Sequence, residues 1–291
     1  MVKVIFPVLA ASFTFLRGPV FNFSDNHYLS HVNEADHGTI LRFCPNDYQG
    51  LLTSRFRCIY FESPQEVSDE DIVTNGLLLA HTLNFFSSLD ALSFPFSILI
   101  REEGRKKTAS FKVGTKNQFV GSSIAPSQKY RLIDGTSASD LQKFFHLTSN
   151  AVNSDARVRI MMDRFNSALR RDHVEDKIID LSVALETMLD ETAEISFRLS
   201  LYLAFACQQD RATAYDLFKT LYDVRSRIVH GSSFQQRARR AIDDTSNKLP
   251  DLIRYSKAAM LYYYTYLNQP EPRDWAKHCL GLILGSAQSV V

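Results

Sequence analysis

The spacing of apolar residues changes period once along this chain, near the small-polar stretch IDGTSASD at residues 133–140. Before it lie short aromatic or β-branched runs bounded by turn residues: VKVIFPVL, SFTFLRG, GTILRFC, RFRCIYF, FSILIRE, ASFKVG and KYRLI. Runs of that kind read as strands. One long helix interrupts them, SPQEVSDEDIVTNGLLLAHTLNFFSSL, which opens with Ser68 followed by acids, a helix-start signal. After the stretch every segment carries helical spacing. Ile178, Leu181, Leu185 and Met188 make one stripe, and Leu217, Leu221, Val224 and Ile228 make another. The expectation is an α+β chain: a strand-rich module with one long helix over residues 1–135, and an all-α bundle over 136–291. A closing helix is expected after Pro270 or Pro272.

Charge and cysteines narrow the function classes. The net charge is +1, so no global field recruits nucleic acid or a membrane, and such binding must come from local patches. Cys44, Cys58, Cys207 and Cys279 are scattered with no CxxC, which argues against a disulfide scaffold and a zinc knuckle. A reducing cytoplasm is the expected setting. The opening MVKVIFPVLAASFTFLRG is read as a strand pair rather than a targeting segment, because Pro7, Ser12 and Thr14 break its apolar run. No run approaches the ~20 apolar residues that span a bilayer, so no membrane partner is expected.

One segment points at chemistry. LYDVRSRIVHG, residues 221–231, places Arg225 and His230 near the end of an expected helix, just before a glycine. Arginine is a permanent cation suited to phosphate, and histidine exchanges protons near neutral pH. Together they are two of the groups needed to cleave a phosphodiester without a metal. On a helical wheel the core stripe occupies one face. Tyr222, Arg225, Ser226, Val229 and His230 fall on another, mixed face that suits a partner or a cleft. The plain structural alternative is that both cations sit favourably at a helix C-terminus with Gly231 as the cap.

Three features occur in order. They are "ALE" (Ala184, Leu185, Glu186), "EISFRLS" (Glu194 to Ser200) and the 221–231 segment. This series, over about residues 155–290, resembles the Apea-like branch of the HEPN superfamily. The resemblance implies an all-helical domain that homodimerises, so that paired Arg-x4-6-His motifs form one composite cleft. It implies a metal-independent ribonuclease with no cofactor. Arg225 would hold the phosphate and His230 would act as general acid or base. Ser226 would stand where the family often has a polar residue, and Glu186 and Tyr222 would be supporting groups. RNA is the implied substrate, and bacterial phage defence or a toxin system the implied role. The first module would then sense a trigger or regulate. A non-catalytic nucleotide- or RNA-binding scaffold is the alternative. An enzyme whose chemistry lies in the first module is a third reading.

Other groups are weighed beside these. Arg157, Arg159, Arg164, Arg170 and Arg171 on one helix, and Arg237, Arg239 and Arg240 on another, are basic runs that could guide RNA, as could Arg227. Such runs are more often solvated faces. His27, His31, Glu34 and His37 have a metal-like spacing, but their segment reads as a loop, and no metal site is expected. His81 reads as a core histidine. Tyr262, Tyr263, Tyr264 and Tyr266 read as packing residues rather than a base-stacking platform. Phosphate-loop, dinucleotide, serine-elbow and zinc-protease motifs are absent from the sequence.

Overall fold

The structure, a computed structural model, describes residues 1–8, 12–14, 20–44, 56–87, 96–104, 106–113, 129–131, 136–189, 195–208, 210–231, 236–270 and 274–285. The chain is α+β and divides into two compact units, Met1–His146 and Leu147–Val291.

The first unit is built on a six-stranded antiparallel sheet. Its strands are β1 (Val2–Val8), β3 (Val20–Ser24), β4 (His27–His31), β5 (Arg57–Ser63), β6 (Phe96–Glu103) and β7 (Lys106–Val113). Their order is β3-β4-β5-β1-β6-β7. β2 (Ser12–Thr14) pairs in parallel with β8 (Lys129–Arg131) in a separate ribbon. The expected N-terminal strand pair is therefore corrected. β1 pairs with β5 and β6, because its residues are buried on both sides and belong at the sheet centre.

Period-2 alternation separates two faces. Ile5, Cys58, Tyr60, Ile98 and Ile100 cluster with Ile40 of α1 (Glu34–Phe43). On the opposite face, Phe6 meets Gly76 of α2 (Asp69–Phe85) so closely that a Cβ on that glycine would lie 2.9 Å from the ring. Among its described residues the module thus holds two helices rather than one, and GTILRF is helical, not a strand. Asn33 caps α1 by accepting from the Asp36 N–H at 2.8 Å, and Glu34 and Asp36 in the first turn suit the helix dipole. Those local interactions outweigh the β-branched Thr39 and Ile40. The segment from His27 to His37, read as a loop, is β4 followed by the start of α1. The expected helix α2 starts at a capping box formed by Ser68 and Asp71.

A second capping box opens α3 (Ala138–Ser154): the Ser137 hydroxyl accepts from the Asp140 N–H at 3.1 Å. Residues 133–135 of the small-polar stretch lie outside the described residues. The division between units falls at His146, inside α3 and beyond residue 135. Phe144 and Phe145 explain this. Phe144 stacks on Phe85 at 4.0 Å, and Phe145 packs against Phe23 and His27.

The second unit is helical. It contains α4 (Arg157–Arg170), α5 (Val174–Glu186), α6 (Ile195–Ala206), α7 (Arg211–Val229), α8 (Gln236–Leu267) and α9 (Trp275–Ile283). Helix α4 packs on α5, α6 on α7, and α7 also meets α5 and α8. Ile178, Leu181, Leu185 and Met188 are buried, as are Leu217, Leu221 and Val224, while Ile228 is half-buried. Helix α8 starts earlier than its apolar run DLIRY and continues through the exposed Pro250. A helical proline costs ~3 kcal/mol. Burial of Ala238, Ile242, Leu252, Tyr255 and Ala259 on either side holds the helix together. Tyr262, Tyr263, Tyr264 and Tyr266 are all core residues, three of them around Trp275. No helix of the described residues is long and apolar enough to cross a membrane.

Candidate functional site

Helix α7 carries its apolar stripe inward and leaves Tyr222, Arg225 and Ser226 half-buried, with Val229 and His230 exposed. The helix ends at His230, whose backbone N–H donates to the Ser226 carbonyl at 3.0 Å. Gly231 follows at φ 71°, the left-handed conformation that ends a helix at little cost. The imidazole therefore stands at the negative end of the helix dipole, open to solvent.

Arg225 faces the other way. Its Nη2 lies 3.6 Å from Oε2 of Glu186, the last residue of α5, and its guanidinium carbon lies 5.7 Å from the centre of the Tyr222 ring. The structure thus brings Glu186, Tyr222 and Arg225 together. This pairing arises because α5 and α7 pack directly. The ion pair is loose. Arg225 Nε and Glu186 Oε1 are both buried and have no hydrogen bond. Burial pushes the Glu186 carboxyl above its ordinary range, against the opposing pull of Arg225. Burial, and then the Glu186 charge, push the Tyr222 phenol up in the same way. An arginine fork with an unused donor, beside a reluctant carboxylate, can turn to grip an oxyanion. Arg225 and His230 share no hydrogen bond or ion pair among the described residues. They are five positions apart, roughly 140° around the helix and ~7.5 Å along it.

Four of the other basic candidates, Arg157, Arg164, Arg170 and Arg171, are engaged structurally. Arg171 Nε donates to Asp180 at 2.7 Å and Arg164 Nη1 to the same carboxylate at 3.0 Å. Arg170 is half-buried, with Nη2 3.3 Å from the Ser167 hydroxyl, and burial lowers its pKa. Arg157 is paired with Asp155 at 2.7 Å. Arg227 is half-buried on α7. Arg237, Arg239 and Arg240 lie in the first turns of α8; the last two are exposed, and the Arg237 side chain falls outside the described residues. Glu194 of the EISFRLS series also lies outside them.

The histidine-rich segment of the first unit has a geometry of its own. His31 is exposed on β4 and His37 sits on α1, so the four residues of the metal-like spacing are split between a strand and a helix. No group of three or more metal-ligating residues is formed among the described residues. His27 instead is buried, with Nδ1 2.9 Å from the Ser24 hydroxyl and Nε2 2.8 Å from Asn75 Oδ1. His81 is wholly buried beside Phe85 and Phe144. The Ser24–His27–Asn75 arrangement carries no sequence signal beyond the histidine, because Asn75 lies on a different element. The Arg164–Asp180–Arg171 grip was similarly hidden inside an apparent basic run.

No family model, no curated protein and no solved structure matches this chain.

Proposed function

We propose that the second unit is a metal-independent endoribonuclease of the HEPN type, acting in the cytoplasm as a homodimer. The observation that carries this reading is the half-buried Arg225, held loosely by Glu186, five residues before an exposed histidine at a helix end. In the reaction the RNA 2′-oxygen attacks the adjacent phosphorus, and the bond to the 5′-oxygen breaks. His230 takes the 2′-hydroxyl proton or protonates the leaving 5′-oxygen. Arg225 stabilises the charge that develops on the phosphate oxygens. The products are a 2′,3′-cyclic phosphate and a 5′-hydroxyl. Because Arg225 and His230 diverge around α7, a second copy related by a two-fold axis would complete the cleft. Val229, 52% exposed on the same face, would be covered in that contact. A bacterial defence or toxin role follows from the same reading, with the first unit as sensor.

A second reading is a non-catalytic scaffold, and the Glu186–Arg225 pair favours it in one respect: it already occupies the arginine. The test is RNA cleavage by purified protein in EDTA. His230→Ala should lower the rate about 10²–10⁴-fold with the fold intact. Arg225→Lys should also cut it sharply, because lysine loses the planar fork. Products with 3′-hydroxyl ends, or a requirement for Mg²⁺, would overturn the mechanism. Sedimentation showing only monomer at high micromolar concentration would count against the composite cleft.

A further inference from the structure

The hairpin joining β3 and β4 contains an irregularity with chemical consequences. Asn22 pairs with Tyr28, yet Ser24 pairs with His27, so Phe23 is an extra residue in β3. A bulge of this kind re-aims the side chains that follow it. Here it sets Ser24 directly opposite His27, on one face of the pair. The Ser24 hydroxyl then meets His27 Nδ1 at 2.9 Å.

The rest of the chain of contacts runs inward. Asn75 Nδ2 donates to the Asp71 carbonyl at 2.8 Å, which turns its Oδ1 toward His27 Nε2 at 2.8 Å. An amide oxygen accepts only, so Nε2 carries the proton and Nδ1 presents a lone pair to Ser24. His27 is clamped between the Phe61 ring, stacked at 4.7 Å, and Phe145 at 5.0 Å. Burial holds the imidazole below its ordinary pKa, which favours its neutral form. A hairpin needs none of this inward chain to turn. It is the order of a nucleophile, a base and a residue that orients the base.

Ser24 also opens onto space. Together with Asp25, Ser139, Gln142, Lys143 and His146 it lines an open cavity of about 610 Å³. The volume suits a small molecule, and the wall is hydrogen-bonding rather than greasy.

We propose that Ser24, His27 and Asn75 form a serine-nucleophile site in the first unit, accepting small polar acyl esters and independent of the Arg225–His230 site. Ser24 Oγ attacks the acyl carbon and its proton passes to His27 Nδ1. The tetrahedral intermediate collapses, the bond to the leaving oxygen breaks, and His27 returns the proton to that oxygen. Water then attacks the acyl-serine by the same proton path and frees the acid. Lys143 supplies positive charge on the cavity wall for the developing oxyanion. Asn75 touches no substrate; it is a positioning residue that holds the imidazole tautomer.

The experiment treats the full-length protein with a fluorophosphonate. In that reaction an Oγ–P bond forms and the P–F bond breaks, and peptide mass mapping locates the adduct. Wild type should label at Ser24 and should release a burst of nitrophenol from p-nitrophenyl acetate. Ser24→Ala should do neither while keeping its melting temperature. Asn75→Ala should slow labelling about 10- to 100-fold at unchanged melting temperature, and Asn75→Asp, which keeps an acceptor oxygen, should restore it. Absence of a Ser24 adduct on wild type overturns the proposal. Equal labelling rates in wild type and Asn75→Ala overturn it as well, since the serine would then be merely exposed.

Discussion

Among the described residues, each unit buries one carboxylate almost completely between two cations, and the two solve the problem differently. In the first unit Asp36, its side chain 1% exposed, sits between Lys3 at 3.5 Å and Lys107 at 3.6 Å. Glu62 and Glu102 extend the cluster around the same lysines. In the second unit Asp180, 3% exposed, receives hydrogen bonds from Arg164 and Arg171 at 3.0 and 2.7 Å. Lysine offers a point charge at longer range, and arginine a directed donor. The sequence distances differ too. The arginines lie 16 and 9 residues from Asp180, whereas Asp36 gathers β1 and β7 from opposite parts of its module. One cluster is a local helix-pair clasp, and the other a long-range knot across a sheet.

That contrast can be broken by removing cations. Replacing both Arg164 and Arg171 with alanine leaves a buried carboxylate uncompensated, and should destabilise the second unit by about 3–5 kcal/mol. Hydrogen exchange resolved along the chain would show lost protection confined to α4, α5 and their neighbours; equal loss in the sheet would refute the local character of the clasp. Lys107→Ala should cost the first unit less, about 1 kcal/mol, because Lys3 and the Asn33 amide still serve Asp36.

Titration sharpens the comparison with smaller effects. Burial, opposed by the Asn75 hydrogen bond and reinforced by nearby His146, holds His27 below its ordinary value of 6.5. An unfolded histidine takes up a proton as pH falls below that value while the native one resists. First-unit stability is therefore fully present above pH 6.5 and declines below it. His27→Gln should flatten this contribution in acid unfolding curves followed by sheet amide exchange. Glu186 runs the other way. Its carboxyl is raised above 4.5 by burial against the pull of Arg225. The native state thus holds that proton more tightly, and the contribution is present below pH 4.5 and lost as pH rises through the raised value. Glu186→Gln should remove that slope in the second unit, the smallest of these effects. A slope unchanged by the substitution would place its origin elsewhere.

Legibility in the sequence followed the same divide. The helices of the second unit announced themselves because each buries a stripe at helical spacing, as Leu181, Leu185 and Leu217 do. In the first unit Thr39, Ile40 and Leu41 look like strand, yet Asn33 and Asp36 start a helix through them. The composition of HYLSH looked like loop, yet it forms β4 because β5 offers it a complete ladder of partners. For the candidate ribonuclease site, Arg225, Tyr222, His230 and Glu186 were all readable as types on faces. That Glu186 meets Arg225 depends on how α5 and α7 pack.

The sequence by itself determined the α+β class, the change of period near residue 137, the helix start at Ser68, the closing helix after Pro270 or Pro272, and the glycine stop after His230. Each rests on interactions within a few residues. Only the tertiary structure decided the strand order, the double grip on Asp180 and the line from Ser24 through His27 to Asn75. Those contacts join residues that share no local pattern, so they exist only once the elements have packed.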